Sequence, residues 1–370
     1  MRTLDARVDV IRNGSKITEV YPVDMPTITE QANAVIKSSM SGTFLFNKNV
    51  DWLIDELQPI AIIDGVEYPF GVFAPSTVSL NRRENLLQVN VEAYDRCWKV
   101  QAIRTENILH LAAGTNYIDA VVSLLSMAGI TLINKTPTWE TLTSDREDWD
   151  IGTDLLTIIN QLLDEINYNE LWFDANGMAV LEPDRLFDVT QVEREYDYYS
   201  VKTLMLDGSS MLTDLFNAPN VFLCVCSNPD KTGVLTATAE NNNYASPLSI
   251  PRRGKRIMSM VKVNNIASQE ALNDYAQILV TESMFTGKSI DITTAIMPNC
   301  GVNDVIALNH PDADGICIET GWSLQLGTGG TMKHTLLQQP KADIVPQPVI
   351  RTGTIAGVAI AGINVVGVAS

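Results

Sequence analysis

The sequence predicts an α+β, β-rich fold: two β-barrel domains, a mixed α+β region between them and an extended C-terminal tail. Three observations lead there. Apolar and polar residues alternate with period two at both ends of the chain, glycine-bearing turn dipeptides separate the alternating runs, and helical periodicity enters between residues 118 and 166. A length of 370 residues suffices for two or three domains with real cores. The boundaries are expected at 1–100 for the first barrel, 101–199 for the mixed region, 200–340 for the second barrel with one helix, and 341–370 for the tail.

Leu4, Ala6, Val8 and Val10 alternate with Asp5, Arg7 and Asp9, which is a half-buried strand. Asn13-Gly14 supplies the positive-φ turn that reverses it into a second strand near Ile17 to Tyr21. Asp64-Gly65 predicts a further hairpin between Ile60–Ile63 and Val66–Tyr68, and alternation returns at Leu87, Val89 and Val91. Ile118, Val121, Val122 and Leu125 share one helical face, with Gly129 placed as a left-handed cap. A second helix is expected from Thr153, as N-cap, through Leu155, Ile158, Ile159, Leu162 and Ile166. Asn176-Gly177 then turns a strand pair. In the last third, Ser268 caps a helix whose apolar face is Leu272, Tyr275, Ala276 and Leu279, Ile290 and Ile292 alternate with polar residues, and Gly327-Thr-Gly-Gly330 turns Trp322–Leu326 back into Met332–Leu337.

After Pro340, Pro346 and Pro348 the segment Thr354 to Ser370 is almost wholly Gly, Ala, Val and Ile. It is shorter than the roughly 20 apolar residues of a spanning helix and rich in glycine, so membrane contact is disfavoured. A strand added to a partner's sheet suits its β-branched residues better, and the segment is expected to be buried against another subunit or protein.

Charged residues are 19% of the chain against roughly 25% in ordinary soluble domains, while hydrophobic residues reach 45%. A surface so poor in charge suits a chain covered by partners. The net charge of −18 argues against a groove that neutralises phosphates. Between Glu140 and Asp197 only Arg146, Arg185 and Arg194 oppose sixteen acids, so this segment carries −13 of that total. Five cysteines, at 97, 224, 226, 300 and 317, form no regular framework, so a secreted disulfide scaffold is not expected. The first residues lack the apolar core of a signal peptide, which points to assembly in a reducing cytoplasm.

No catalytic, cofactor-binding or metal-binding residues are assigned. His110, His310 and His334 share no zinc-site spacing with any cysteine. Gly287-Lys288-Ser289 resembles the end of a phosphate-binding loop, but Glu282 stands where the earlier glycine is required. Asp312 and Asp314 lack the remaining calcium ligands and are expected in a loop between strands. Cys224 and Cys226 fall on one face of a strand, as buried hydrophobes. Tyr196, Tyr198 and Tyr199 alternate with acids and suit an interface or core edge. The acids of 140–197 offer many carboxylate pairs for glycoside hydrolysis, but none is singled out by spacing, and a solvated or channel-facing charge run is the preferred reading.

Pro59-Ile-Ala-Ile-Ile-Asp-Gly65, Phe70-Gly-Val-Phe73, Asn217-Ala-Pro-Asn220, Ser246-Pro-Leu-Ser-Ile250 and Val302-Asn-Asp-Val-Ile306 occur in an order that, over residues 1–340, resembles the hub or tail-tip proteins of phage tails, the N-terminal hub part of tail-associated lysin-like proteins. The resemblance implies two tube-type β-barrel domains per chain, so that three chains make a pseudo-sixfold ring under a sixfold tail tube. It implies a non-enzymatic homotrimeric adaptor in the virion tail that joins the tube to a threefold spike or tip. Expected neighbours are a tail tube or distal tail protein, a spike, tip or fibre protein and the tape-measure protein, with DNA passing through the channel without specific binding. Many members of that family continue into a lysin region where this sequence has only the apolar tail, so wall-cutting activity is expected from another chain. A carbohydrate-active or receptor-binding tail enzyme using the 140–197 acids is the alternative reading.

Overall fold

The computed structural model describes residues 2–338 apart from 84, 148, 185–190, 201–203, 207, 214–217, 227–232, 245, 264 and 285–287. The 341–370 tail therefore lies outside the described residues. The protein is β-rich, with helices confined to the middle and to one module of the second half.

The first hundred residues form eight strands: β1 (Leu4–Arg12), β2 (Ser15–Val20), β3 (Thr27–Gln31), β4 (Ser38–Leu45), β5 (Glu56–Ile63), β6 (Val66–Pro69), β7 (Ala74–Arg83) and β8 (Leu86–Tyr94). The turns follow the sequence signals: Asn13 and Gly14, and again Asp64 and Gly65, adopt positive φ between β1 and β2 and between β5 and β6. One sheet has the order β2-β1-β5-β6, and it packs across a core of Val8, Val10, Phe44, Leu57, Phe73 and Val89.

The middle region begins with α1 (Arg96–Ala102), capped by Asp95 and without a counterpart in the sequence reading. It continues with α2 (Tyr117–Met127), β9 (Ile133–Lys135), α3 (Leu155–Asp164), β10 (Trp172–Phe173) and β11 (Ala179–Leu181). Gly129 is left-handed after α2, as expected. The buried face of α2 includes Leu124 as well as Ile118, Val121 and Leu125, while Val122 is only partly buried. The α3 cap is Asp154, one residue beyond the expected Thr153, because the Asp154 carboxylate accepts from Thr157 N at 2.9 Å while the Thr153 hydroxyl donates to the Asp150 carbonyl instead. Six buried Leu and Ile side chains of α3, each contributing about 1.5–3 kcal/mol of apolar burial, anchor this core.

The second half contains β12 (Arg194–Asp197), β13 (Ser210–Thr213), β14 (Val221–Cys226), β15 (Leu235–Glu240), the single turn α4 (Ile250–Arg253), β16 (Met258–Val263), α5 (Gln269–Ser283), β17 (Lys288–Ala295), β18 (Val305–His310), β19 (Ala313–Gln325) and β20 (Thr331–Gln338). Ser268 caps α5 by accepting from Ala271 N at 3.0 Å, as its position predicts. Strands β15-β14-β16 and α5 enclose a small core of their own, in which Cys224 and Cys226 are buried side by side. Asp312 lies in the short turn between β18 and β19, and Asp314 already belongs to β19.

The two halves share one large sheet, with the path β13-β17-β20-β19-β3-β4-β8-β7. Strand β19 makes the join: its first part pairs with β18, and its last part, Gly321 to Gln325, pairs with β3. A bulge between Glu319 and Gly321 turns the strand from one partner to the other. A β-carbon at Gly321 would stand 2.9 Å from the Glu30 carbonyl, so this close approach of β19 to β3 requires glycine.

Candidate functional site

The eight-strand path has two chemically distinct faces, because successive side chains of a strand point to opposite sides. Toward the core stand Ile28, Met40, Phe44, Val89, Trp322, Leu324 and Met332. The other face carries mostly short polar side chains in register: Ser79, Asn90, Thr43 on β7, β8 and β4, then Thr29, Ser323, Lys333 and Thr293 on β3, β19, β20 and β17. The next row contains Thr77, Glu92, Ser41, Thr27 and Gln325. Charges on this face include Arg83 and Glu92, both exposed, and Lys333, which pairs at 2.8 Å with Asp291 on the same side of β17. A groove of about 430 Å³ lies on this face, lined in part by Asp24, Met25, Thr43, Thr77, Asn90 and Glu92. Such a wall offers many weak hydrogen-bonding groups spread over its surface.

The path ends in two unlike edges. Strand β7 is exposed from Thr77 to Arg83 on both faces, so Val78 and Leu80 stand partly uncovered beyond the core. Strand β13 presents Met211 and Leu212 at the other end, with Leu212 70% exposed. Edges of this kind, unpaired among the described residues, invite pairing with another chain.

On the core side, at the β19 bulge, a buried polar chain runs through four strands. The Thr294 hydroxyl lies 2.9 Å from His334 Nε2, His334 Nδ1 lies 2.5 Å from Glu319 Oε1, and the Tyr196 hydroxyl donates to Glu319 Oε2 at 3.2 Å. Burial, and then the Glu319 charge, push the Tyr196 phenol far above its ordinary value, so it stays a donor. The half-buried Glu30 carboxyl on β3 is pushed up to about 8, first by burial and then by the like charges of Asp95, Glu319 and Asp304. Hydroxyl, imidazole and carboxylate stand here in the order used by nucleophilic hydrolases. All three are fully buried, however, and the Thr294 hydroxyl donates to the neighbouring Ala295 carbonyl at 2.7 Å, so the chain joins strands and faces no substrate. Sequence reasoning set His334 aside as a non-ligand and did not find this chain. The signal available was the polar pair Thr294 and His334 at inward positions of otherwise apolar strands.

The residues singled out in the sequence are brought together in structural roles. Asn220 is fully buried; its amide donates to the Leu248 and Lys255 carbonyls at 3.1 and 3.0 Å and its oxygen accepts from Ile257 N at 2.8 Å. Asn220 and the Ser-Pro-Leu-Ser-Ile segment thus form one clamp, completed by Asn241 donating to the Ser246 hydroxyl at 3.1 Å, while Asn217 lies outside the described residues. In the Val302-Asn-Asp turn, Asn303 is left-handed and Asp304 accepts from Gly301 N and Arg194. Several acids of the 140–197 run are likewise structural: Asp154 caps α3, Asp174 accepts from Asn176 N and Met178 N, and Glu165 is buried against Arg146. His110 pairs with the exposed Glu147, and His310 is buried against Tyr198. Tyr196 lies in the core, deeper than the edge position expected. Among the described residues no group of three or more His, Cys, Asp or Glu could hold a metal ion, and no helix is long and apolar enough to cross a membrane.

This fold is that of phage tail proteins and of a related secretion-system component. The tail protein from Neisseria meningitidis MC58 superposes with a TM-score of 0.62 at 11% identity, over 92% of this chain and 97% of that one. The 43 kDa tail protein of prophage MuSo2 from Shewanella oneidensis gives 0.61 at 10% identity, over 90% and 98%. An Escherichia coli component of the type VI secretion system, described as structurally similar to the T4 bacteriophage tail proteins gp27 and gp5, gives 0.52 at 11% identity, over 93% and 81%. At these identities the likeness is one of fold. No family model matches the chain, and no curated protein sequence matches it.

Proposed function

We propose that this chain is the structural hub of a phage tail tip or baseplate, a homotrimeric adaptor between a sixfold tail tube and a threefold spike or tip. The observation that carries the reading is the eight-strand path: residues 1–100 contribute β3, β4, β8 and β7, and residues 200–340 contribute β13, β17, β20 and β19. Two equivalent four-strand contributions per chain give six in a trimer, which matches a sixfold ring above while the assembly keeps threefold symmetry below. The middle region, residues 101–199, then lies outside the ring-forming parts.

The polar face of the path is the channel wall in this reading. Hydroxyl and amide side chains with few charges, in a chain of net charge −18, give DNA no phosphate contacts to release counterions against, so it slides through without specific binding. The unlike edges β7 and β13 suit a head-to-tail contact that closes into a ring, which would hide Val78, Leu80, Met211 and Leu212. The protein acts by shape and sheet pairing, as a virion tail component assembled in the host cytoplasm, beside a tube or distal tail protein, a spike or fibre protein and the tape-measure protein.

Mass measurement of the isolated protein together with averaged images of tails tests this. A trimer, and threefold density directly under the tube, are expected. A stable monomer at high concentration, or turnover of cell wall by the isolated chain, would overturn it.

A further inference from the structure

The two halves of the large sheet repeat one another pair for pair. Residues 27–30 of β3 run against 41–38 of β4, and residues 210–213 of β13 run against 291–288 of β17. The next ladders keep step, 39–45 against 94–88 in the first half and 289–295 against 337–331 in the second, seven pairs in each. Even the irregularities coincide. Strand β7 bulges between Pro75 and Thr77 where it passes Ala93 and Glu92, and β19 bulges between Glu319 and Gly321 where it passes Leu336 and Thr335, the equivalent positions. Ahead of β3, Pro22 bridges Phe44, with Val23 N donating to the Thr43 carbonyl at 2.8 Å and Leu45 N to the Tyr21 carbonyl at 2.9 Å. Ahead of β13, Met205 bridges Thr294, with Leu206 N donating to the Thr293 carbonyl at 2.8 Å and Ala295 N to the Leu204 carbonyl at 3.1 Å. Strands β13, β17, β20 and β19 thus correspond to β3, β4, β8 and β7, in that order along the path.

This correspondence says what each free edge lacks. Inside the chain β19, the equivalent of β7, pairs with β3, the equivalent of β13. There Leu324 stands opposite Ile28 and Ser323 opposite Thr29, and Leu324 and Ile28 are fully buried. The residues at the same positions of the free edges are Leu80 and Met211, 58% and 47% exposed, with Ser79 and Leu212 beside them. Strands β7 and β13 lie at opposite ends of the path and, among the described residues, do not pair with each other within the chain. Each lacks the neighbour that the other supplies.

We infer that β7 of one copy adds antiparallel to β13 of the next in the register of the β19–β3 seam, with Ser79 opposite Leu212, Leu80 opposite Met211 and Asn81 opposite Ser210. This rests on the proposed homotrimer and gives its closing contact a register: the join between chains repeats the join within the chain, and the two alternate around the ring. Leu80 and Met211 then close the apolar layer as Leu324 and Ile28 do. One position departs. Thr77 stands where the seam has Gly321, whose β-carbon would lie 2.9 Å from the Glu30 carbonyl, so the pairing is centred on residues 79–81 and opens toward Thr77. In the seam, Ala32 N donates to the Thr320 carbonyl at 2.9 Å and Leu326 N to the Pro26 carbonyl at 2.8 Å, which by alternation makes Thr29 and Ser323 a non-hydrogen-bonded pair. Ser79 and Leu212 are its equivalent, a pair whose Cα atoms would stand about 4.5 Å apart, within disulfide reach.

Full-length chains test the register. Under oxidation, Ser79→Cys chains mixed with Leu212→Cys chains should form a disulfide between copies, and S79C/L212C should give covalent trimers. Their yield should exceed about tenfold that of S79C/M211C, whose side chains point to opposite faces, and of S79C/S210C, one same-face position further along. Wild-type protein, with four of its five cysteines buried, sets the background. Leu80→Asp is expected to weaken self-association about tenfold or more by sedimentation velocity, with circular dichroism as the check on folding. In mixed isotope-labelled protein, a photo-crosslinker at Leu80 should join residues 210–213 of a different copy. A trimer whose disulfide yield peaks in a slipped pairing, or whose Leu80 crosslinks stay within one copy or fall in residues 341–370, overturns this contact and leaves the hub reading standing. A monomeric wild-type protein overturns both.

Discussion

Two buried glutamates hold two parts of this molecule together, and they differ in the side chain that faces them, Arg146 in one and His334 in the other. In the middle region Glu165 Oε2 accepts from the Tyr117 hydroxyl and from Arg146 Nη1, both at 2.8 Å. At the β19 bulge Glu319 accepts from the Tyr196 hydroxyl at 3.2 Å and faces His334 Nδ1 at 2.5 Å. Both glutamates are shared between a tyrosine hydroxyl and a nitrogen-bearing side chain, with little or no exposure. The guanidinium meets the Glu165 carboxylate in an ion pair, whereas the imidazole faces Glu319 with one ring nitrogen and the Thr294 hydroxyl with the other. The middle region therefore has a lock built on an ion pair, and the seam between the two halves of the large sheet has one that continues through the imidazole to a further strand.

Removing one partner from either lock should produce the largest effect, because buried polar groups are then left without their partners. Glu319→Ala and Arg146→Ala are each expected to cost about 3–5 kcal/mol in denaturant unfolding. Losses of similar size would uphold the parallel, and a cost below about 1 kcal/mol at either site would break it.

The seam can be sharpened further through Glu30. Its folded value of about 8 lies above the ordinary 4.5, so between those values the native state holds a proton that the unfolded chain has lost. Stability contributed this way is present at low pH and declines as pH rises from about 4.5 to about 8. Glu30→Gln should flatten that decline and raise stability at pH 8 by about 1–3 kcal/mol. Unfolding curves of both proteins from pH 5 to pH 8.5 read it directly, and parallel profiles would remove Glu30 from the account. The smallest effect belongs to the helix ends: Asp154→Ala and Ser268→Ala should each cost about 1 kcal/mol, the one loosening the middle region and the other the α5 module. Equal melting shifts with Thr153→Ala in place of Asp154→Ala would argue against Asp154 as the cap.

Local signals were legible in the sequence where the physics is local. Asn13-Gly14, Asp64-Gly65 and Asn176-Gly177 turn the chain where their conformational freedom says they should, and Ser268 caps its helix. The Thr153 and Asp154 ambiguity is of another kind, since adjacent residues compete for one set of N–H groups and only the backbone path decides. Helix α1 escaped because seven residues with two buried side chains leave almost no periodic trace. The polar face of the large sheet was written in the sequence as Ser and Thr at alternate positions, but its continuity depends on β3 lying beside β19, which no local pattern specifies. The buried His334 chain and the clamp around Asn220 are hidden for the same reason.

The pairing of β3 with β19 sets Thr29 opposite Ser323, 294 positions later in the chain. During synthesis at about 5–20 residues per second, that side of β3 waits roughly 15–60 s for its neighbour. Throughout that interval the nascent N-terminal half offers a bare strand flanked by apolar side chains, in a cell making many copies of the same chain at once. Such long-range closure is slow by nature and exposed to mispairing between neighbours. The production of this protein is thus timed by its own last strands, and whatever shields the growing chain in that interval matters as much to yield as the stability of the finished fold.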